Sequence, residues 1–428
     1  MRISLILNRG SWTMADQMVV SGGTFLVNLL LARQLPQEEY GVFAVLLGGM
    51  LTLQLPCGAL LLYPLSVQLQ ALDGKAERSM LMRSTLVLVL LLALVLGMVL
   101  APVLLAFGRA ELAIPALLCF VFWQLQEATR RSLFSTFRHR GAILGDSISY
   151  AGQALIVIGL ATQGRLTLPE VYLGMAATSL FAAAVQWVQL GLTLRGPLPL
   201  RRVAREFWAF GAGWSLVNGI LSQLRGQILA WTVAFEGGIA AAAALQAAAN
   251  VVNMANPLLI SLGNIIPQAV ARAARQGMAE GWRAARSYAY LALPFFLGYA
   301  ALVLAVPGPI LQLFYGSSSG YTDLATVLRL LVLGALLGYV ADIFVSFLHG
   351  VVALRLATFI NATGLVATVI LSWLLVGQLG LVGGCLVGIG ANMVRLAACR
   401  SAMAKLMGSP ASPLPPPGLA AAAQPRGK

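Results

Sequence analysis

Residues 85–108 read TLVLVLLLALVLGMVLAPVLLAFG, 24 consecutive positions without a charged side chain. A run of this kind has one good solvent. About 20 apolar residues in a helix cross a hydrocarbon core of roughly 30 Å, and in lipid a helix satisfies every backbone amide internally. The segment therefore reads as a membrane-spanning helix. The rest of the chain follows the same rule, because 59% of its 428 residues are hydrophobic and only 10% are charged. Soluble domains run near a half and a quarter. Hydropathy places spans at 12–33, 40–70, 85–108, 111–137, 141–163, 168–193, 206–235, 238–270, 287–314, 324–350, 357–377 and 379–404. The expected fold class is an all-α polytopic membrane protein of about 12 transmembrane helices. Alternate gaps are very short, as at Pro36–Glu39 and Glu236–Gly237, so neighbouring spans pair as tight antiparallel hairpins.

The net charge of +14 sits in short segments between spans. There it reads as a topology signal, and it excludes a nucleic-acid role, since basic, aromatic-poor loops of this length make no nucleic-acid module. One alternating set of segments holds twenty-three of the 28 Lys and Arg, among them Arg78, Arg83, Arg130, Arg131, Arg201, Arg205, Arg283 and Arg395. The other set keeps Arg33, Arg109 and Arg165 beside Glu38, Glu39, Glu111, Glu170, Glu236 and Asp323. Arg225 and Arg329 fall inside spans. The positive-inside rule then puts both termini in the cytoplasm of a bacterial inner membrane, which requires an even number of spans. The N-terminus shows no short apolar region followed by a small-residue cleavage site, so the first span is expected to be retained. Cys57, Cys119, Cys385 and Cys399 have neither CxxC nor metal spacing and read as packing residues. No metal or cofactor is expected.

The chain reads as a duplication. At an offset of 203, Pro64, Val67, Ala71, Gly74, Ala76, Glu77, Arg83 and Ser84 match Pro267, Val270, Ala274, Gly277, Ala279, Glu280, Arg286 and Ser287. Upstream the offset is 197, aligning the run from Glu39 with the run from Glu236. Six spans per half give parallel repeats, a transporter plan that puts the substrate site between the halves; the bland alternative is chance similarity between apolar helices. The organisation expected is a cytoplasmic N-terminus over 1–11, a six-helix lobe over 12–193, a basic linker over 194–205, a second six-helix lobe over 206–404, and a Pro/Ala-rich disordered tail over 405–428.

Residues 30–46, LLARQLPQEEYGVFAVL, carry a resemblance. An apolar helix, Arg33, Leu35, Pro36, Glu38 or Glu39, Gly41, Phe43 and Ala44 resemble the turn of the polysaccharide transporter (O-antigen flippase) family, within the MATE-like multidrug/oligosaccharidyl-lipid/polysaccharide exporter superfamily. Gln34 precedes Leu35 and no Gly precedes Pro36, which departs from that turn. The resemblance extends over about residues 10–404. It implies two six-helix lobes around a central cavity. It also implies flipping of an undecaprenyl-pyrophosphate-linked oligosaccharide from the cytoplasmic to the periplasmic leaflet by alternating access. A proton or sodium gradient is the candidate drive, and the residues favour neither. The implied partners are that lipid-linked oligosaccharide, membrane lipids and polysaccharide polymerase machinery.

Ionisable and amide groups inside spans mark a pathway or glue helices together. Arg225 lies eleven residues before Glu236, about 16 Å from that end at 1.5 Å per residue, and Asn218, Ser222 and Arg225 share a face. Arg225 reads as a cavity cation suited to a pyrophosphate, or as the partner of a carboxylate such as Asp342. Gln246, Asn250, Asn253, Asn264 and Gln268 fall on one stripe with Pro257, where amides could bond sugar hydroxyls; a kink at Pro257 would turn the stripe partway. Asp16, Glu127, Asp146 and Asp342 are candidates for ion coupling or for salt bridges with Arg130 and Arg131. Arg33 and Arg329 read as snorkelling anchors.

Other readings compete. A membrane glycosyltransferase or ligase calls for a sizeable aqueous loop, and the chain shows no Asp-x-Asp, HExxH, GxSxG or P-loop. A multidrug–cation antiporter of the same superfamily calls for deep carboxylates, where this chain has Arg225. A sugar-porter-like facilitator calls for a basic loop that LDGKAERSMLMR does not match, and a peptidoglycan-precursor flippase adds two helices.

Overall fold

The computed structural model describes residues 2–408 apart from 73, 137, 194, 210, 211, 318 and 352; the side chains of 2–14, 67, 70, 71, 209, 212–215, 218, 264, 407 and 408 lie outside the described set. Among the described residues all regular structure is helical. The first six spans are α1 (Arg2–Gln34), α2 (Gln37–Ser66), α3 (Lys75–Ala106), α4 (Ala110–Ser135), α5 (His139–Thr162) and α6 (Leu168–Leu190). The second six are α7 (Ala212–Gly237), α8 (Ile239–Gln276), α9 (Met278–Ala305), α10 (Ala325–Gly350), and α11 and α12, which share Leu354–Gly408 and divide at Gly380. Gly380 has φ 54° and ψ −131°, backbone that L side chains rarely enter. Gly238, at φ 82°, does the same work between α7 and α8, reversing the chain in a single residue.

Six helices fall in each half, and the starts of the second and third helix of each half recur at nearly the same offset. α3 opens at Lys75 and α9 at Met278, 203 positions apart; α2 and α8 open at Gln37 and Ile239, 202 apart. The alignment at offset 197 is wrong: Glu39 lies in the first turn of α2, whereas Glu236 lies in the last turn of α7. A match of Glu and Gly at two helix termini produced it. Both α2 and α8 are interrupted partway, α2 by a π-helical stretch at Cys57–Leu62 and α8 by a 3-10 turn at Asn253–Ala255.

The linker is also more structured than its charge implies. Leu200–Ala209 forms an amphipathic helix whose Val203 and Phe207 are buried. Phe207 and Trp208, expected at the start of the seventh span, belong to this helix instead. The tail from 409 onward lies outside the described residues.

Apolar packing shows how the lobes meet. At the end carrying Pro36 and Gly238, one cluster runs across both lobes, joining Val27, Tyr40, Phe43 and Met50 to Ala243, Ala247, Tyr315 and Tyr321. At the arginine-rich end the packing divides. Leu65, Leu81, Leu133 and Phe207 belong to a cluster of the first lobe alone. Val270, Phe347, Ala357 and Cys399 belong to one of the second lobe alone.

Candidate functional site

Three polar clusters lie within this frame. In the first lobe, Arg130 on α4 donates from Nη2 to Asp16 of α1 at 2.6 Å and from Nε to Asp146 of α5 at 2.5 Å. Its Nη1 reaches Glu127 one turn back at 3.0 Å, and Arg131 binds the other Glu127 oxygen at 2.6 Å. The face of Phe134 covers the Arg130 guanidinium at 5.1 Å. Asp16 and Asp146 have no exposed surface. Gln126 donates to Asp146 at 3.3 Å, while Asp16 Oδ1 is buried with no hydrogen-bond donor. Three carboxylates thus face two guanidiniums, and a proton or small cation would satisfy the orphan oxygen.

The second lobe reverses that balance. Arg225 on α7 and Arg395 on α12 both donate to Asn392 Oδ1, at 2.8 and 3.0 Å. Arg395 also reaches Asp342 of α10 at 2.6 Å and Asn361 of α11 at 3.4 Å, and Asn392 donates to the Gly334 carbonyl at 3.0 Å. Arg395 is 1% exposed, and its Nε has no partner. The Asp342 side chain is 51% exposed. A Cβ on Gly364 of α11 would stand 2.6 Å from Arg395 Cγ and 3.5 Å from Arg225 Cδ, so this glycine makes room for both arginine stems. Two guanidiniums here share one carboxylate.

Several expectations change. Arg225 does not pair with Asp342; Arg395 occupies that carboxylate and leaves Arg225 a neutral amide. Arg395, read from its place near Arg400 as a flank residue, lies at mid-depth in α12. Its depth was hidden because it is followed by further basic residues. Ser222 is exposed, and the Asn218 side chain lies outside the described residues. Asn392, Asn361, Gly364 and Arg395 complete this site and were missed, since no motif links α7, α11 and α12.

The amide stripe on α8 does not run the length of the membrane. Gln246 donates to Asn250 at 2.9 Å, and Asn250 donates to the Tyr40 hydroxyl of α2 at 2.8 Å. The 3-10 turn at Asn253–Ala255 then breaks the register. Asn253 and Gln268 are exposed, and the Asn264 side chain lies outside the described residues. Asn250 therefore belongs to a seam between lobes. In the same seam Arg33 donates to the carbonyls of Phe314 and Leu313, the latter at 2.6 Å, and Gln37 donates to Ala240 at 3.2 Å. Phe25 meets Phe314 edge to face at 5.3 Å. Arg33 is thus a cross-lobe clasp, not a snorkelling anchor. Arg329 donates to Leu304 within its own lobe.

No family model and no curated sequence matches the chain. Solved structures do, over nearly its whole length. An inward-facing multidrug resistance MATE family transporter of the MOP superfamily aligns at TM-score 0.69 and 17% identity, over 93% of this chain and 94% of that one. The lipid II flippase MurJ in an inward closed conformation aligns at 0.72 and 12% identity, over 94% and 88%. The chain has the MATE-like transporter fold. A MOP superfamily transporter from Pyrococcus furiosus, described as having a binding pocket of reverse polarity, aligns at 0.62 and 15%, over 94% and 95%. Within the MATE-like fold the acidic and basic clusters occupy separate lobes, and the clasp of α1 and α2 on α8 and Pro307–Tyr315 joins the lobes at the end carrying Pro36 and Gly238.

Proposed function

We propose that this chain is a flippase. It carries an undecaprenyl-pyrophosphate-linked oligosaccharide from the cytoplasmic to the periplasmic leaflet of a bacterial inner membrane, by alternating access, in polysaccharide or lipopolysaccharide synthesis. The observation that carries the reading is the pair Arg225 and Arg395 at mid-bilayer, joined through the Asn392 amide, with a single half-exposed carboxylate that only Arg395 reaches. A diphosphate complements that excess of positive charge, and planar guanidiniums grip phosphate oxygens through paired hydrogen bonds. Arg225, held only by a neutral amide, is free to exchange Asn392 for such an anion.

The acidic cluster supplies the coupling. Asp16 and Asp146 load a proton or sodium ion into a site one positive charge short, and the load alters how α1, α4 and α5 hold together around Arg130. The arginine-rich end faces the cytoplasm, so the divided packing there opens the lobes to substrate made on that side. MurJ, by its name, flips a lipid-linked molecule, which supports the reading. A multidrug–cation antiporter would need acidic groups accessible to a bulky cation; one structural relative is named a multidrug resistance MATE family transporter. Asp16 and Asp146 are fully enclosed and bound to Arg130, and the half-exposed Asp342 is taken by Arg395.

Binding tests this directly. A short-chain polyprenyl diphosphate glycan should bind the purified protein, and Arg225→Gln should weaken it about tenfold, the loss of one charge-assisted contact. Equal binding of the uncharged polyprenol, or saturable binding of ethidium instead, would refute the proposal.

A further inference from the structure

The amphipathic helix Leu200–Ala209 turns two side chains inward and three conspicuously outward. Val203 and Phe207 pack into the first lobe's cluster with Leu65, Leu69 and Leu81. At 3.6 residues per turn, Arg201, Arg205 and Trp208 fall within about 60° of one another on the opposite face. Trp208 is 73% exposed, and both arginines are exposed. Arg202 is bound to Glu206 at 2.8 Å, whereas no ion pair engages Arg201 or Arg205 among the described residues. The helix is fixed in place from behind. Arg83 on α3 donates to the carbonyls of Thr193 and Arg195, strapping the preceding segment to the lobe.

We propose that this outward face binds the headgroup of an anionic phospholipid of the adjoining leaflet. Leu65 lies in the last turn of α2, Leu69 in the helical continuation to Ala71, and Leu81 in the second turn of α3, so the helix sits where the spans meet the headgroups. An exposed Trp belongs at that depth, with its ring among the upper acyl chains and its indole N–H in the polar layer. Arg201 and Arg205, with no acidic partner, are complementary to a lipid phosphate beside it. The same pair would repel an approaching basic surface and gain little from a zwitterionic lipid. This site is separate from the mid-bilayer arginines and does not depend on what the protein transports.

The test uses the full chain in nanodiscs. The fluorescence of Trp208 is taken as the difference between wild type and Trp208→Phe. Brominated phosphatidylglycerol should quench it more strongly than brominated phosphatidylcholine at equal mole fraction. Each of Arg201→Gln and Arg205→Gln should lower the preference about fivefold, the weight of one basic residue near an anionic surface. Arg202→Gln should leave it unchanged. Equal quenching by the two lipids overturns the proposal, as does a preference that survives the double variant. Quenching by aqueous iodide but not by brominated lipid also overturns it, and marks the face as one turned to a soluble partner.

Discussion

A guanidinium buried in a bilayer survives only among partners that stay put, and Arg395 has Asp342, Asn361 and Asn392 around it. The two arginine clusters differ in what removing one partner exposes. Asp342→Asn takes the carboxylate from the buried Arg395 guanidinium but leaves an amide oxygen that can still accept from it, and should cost about 1–3 kcal/mol of stability. Arg130→Gln strands two fully buried carboxylates and should cost about 3–5 kcal/mol; thermal unfolding of the purified variants compares them. Gly364→Ala puts a methyl against the Arg395 stem and should depress substrate binding with the same sign as Arg225→Gln, read in the binding assay above. Arg225 was legible in the sequence because it stands alone in an apolar span. Arg395 was not, because Arg400 and Lys405 follow it closely and hydropathy assigns such a run to a flank. The acids were legible as a set: Arg130 was named beside Asp16, Glu127 and Asp146 from shared depth, although depth alone could not say that one guanidinium holds all three.

At the scale of elements, the proposed function requires the seam to open for a substrate to leave. Gly41 on α2 approaches the backbone of α8 so closely that a Cβ there would lie 2.2 Å from the Ile239 carbonyl oxygen. Gly41→Ala should therefore hold α2 and α8 apart, lengthening a spin-label distance across that end. Tyr40→Phe removes the hydroxyl that accepts from Asn250 and should shift the same distance distribution outward by a smaller amount, since one hydrogen bond contributes only about 1 kcal/mol. Some helix boundaries were readable from hydropathy and turn residues, as at Pro36. The span expected over 287–314 is instead α9, Met278–Ala305, followed by a separate helix Pro307–Tyr315, because hydropathy runs on across Val306 and Pro307. The role of Asn250 was not readable. Periodicity puts it on a face but does not say whether the neighbour is substrate or Tyr40, and the break at Asn253–Ala255 depends on packing between lobes.

Across the whole molecule, the two lobes hold buried clusters of opposite excess charge. The first holds an excess of carboxylate around Arg130, the second an excess of guanidinium around Asn392. Under the proposed function that division lets one lobe take a cation while the other takes an anion, with rocking of the lobes about the seam linking the two. The two-lobe plan was visible in the offset of 203 between Gly74 and Gly277; the charge reversal was not, because it needs α10, α11 and α12 folded together. The most direct test is transport. Proteoliposomes of the wild type should move a fluorescent undecaprenyl-pyrophosphate glycan between leaflets, and Arg225→Ala, folded to the same extent, should not. Vesicles that leave the glycan in place while accumulating ethidium against a proton gradient would contradict the account.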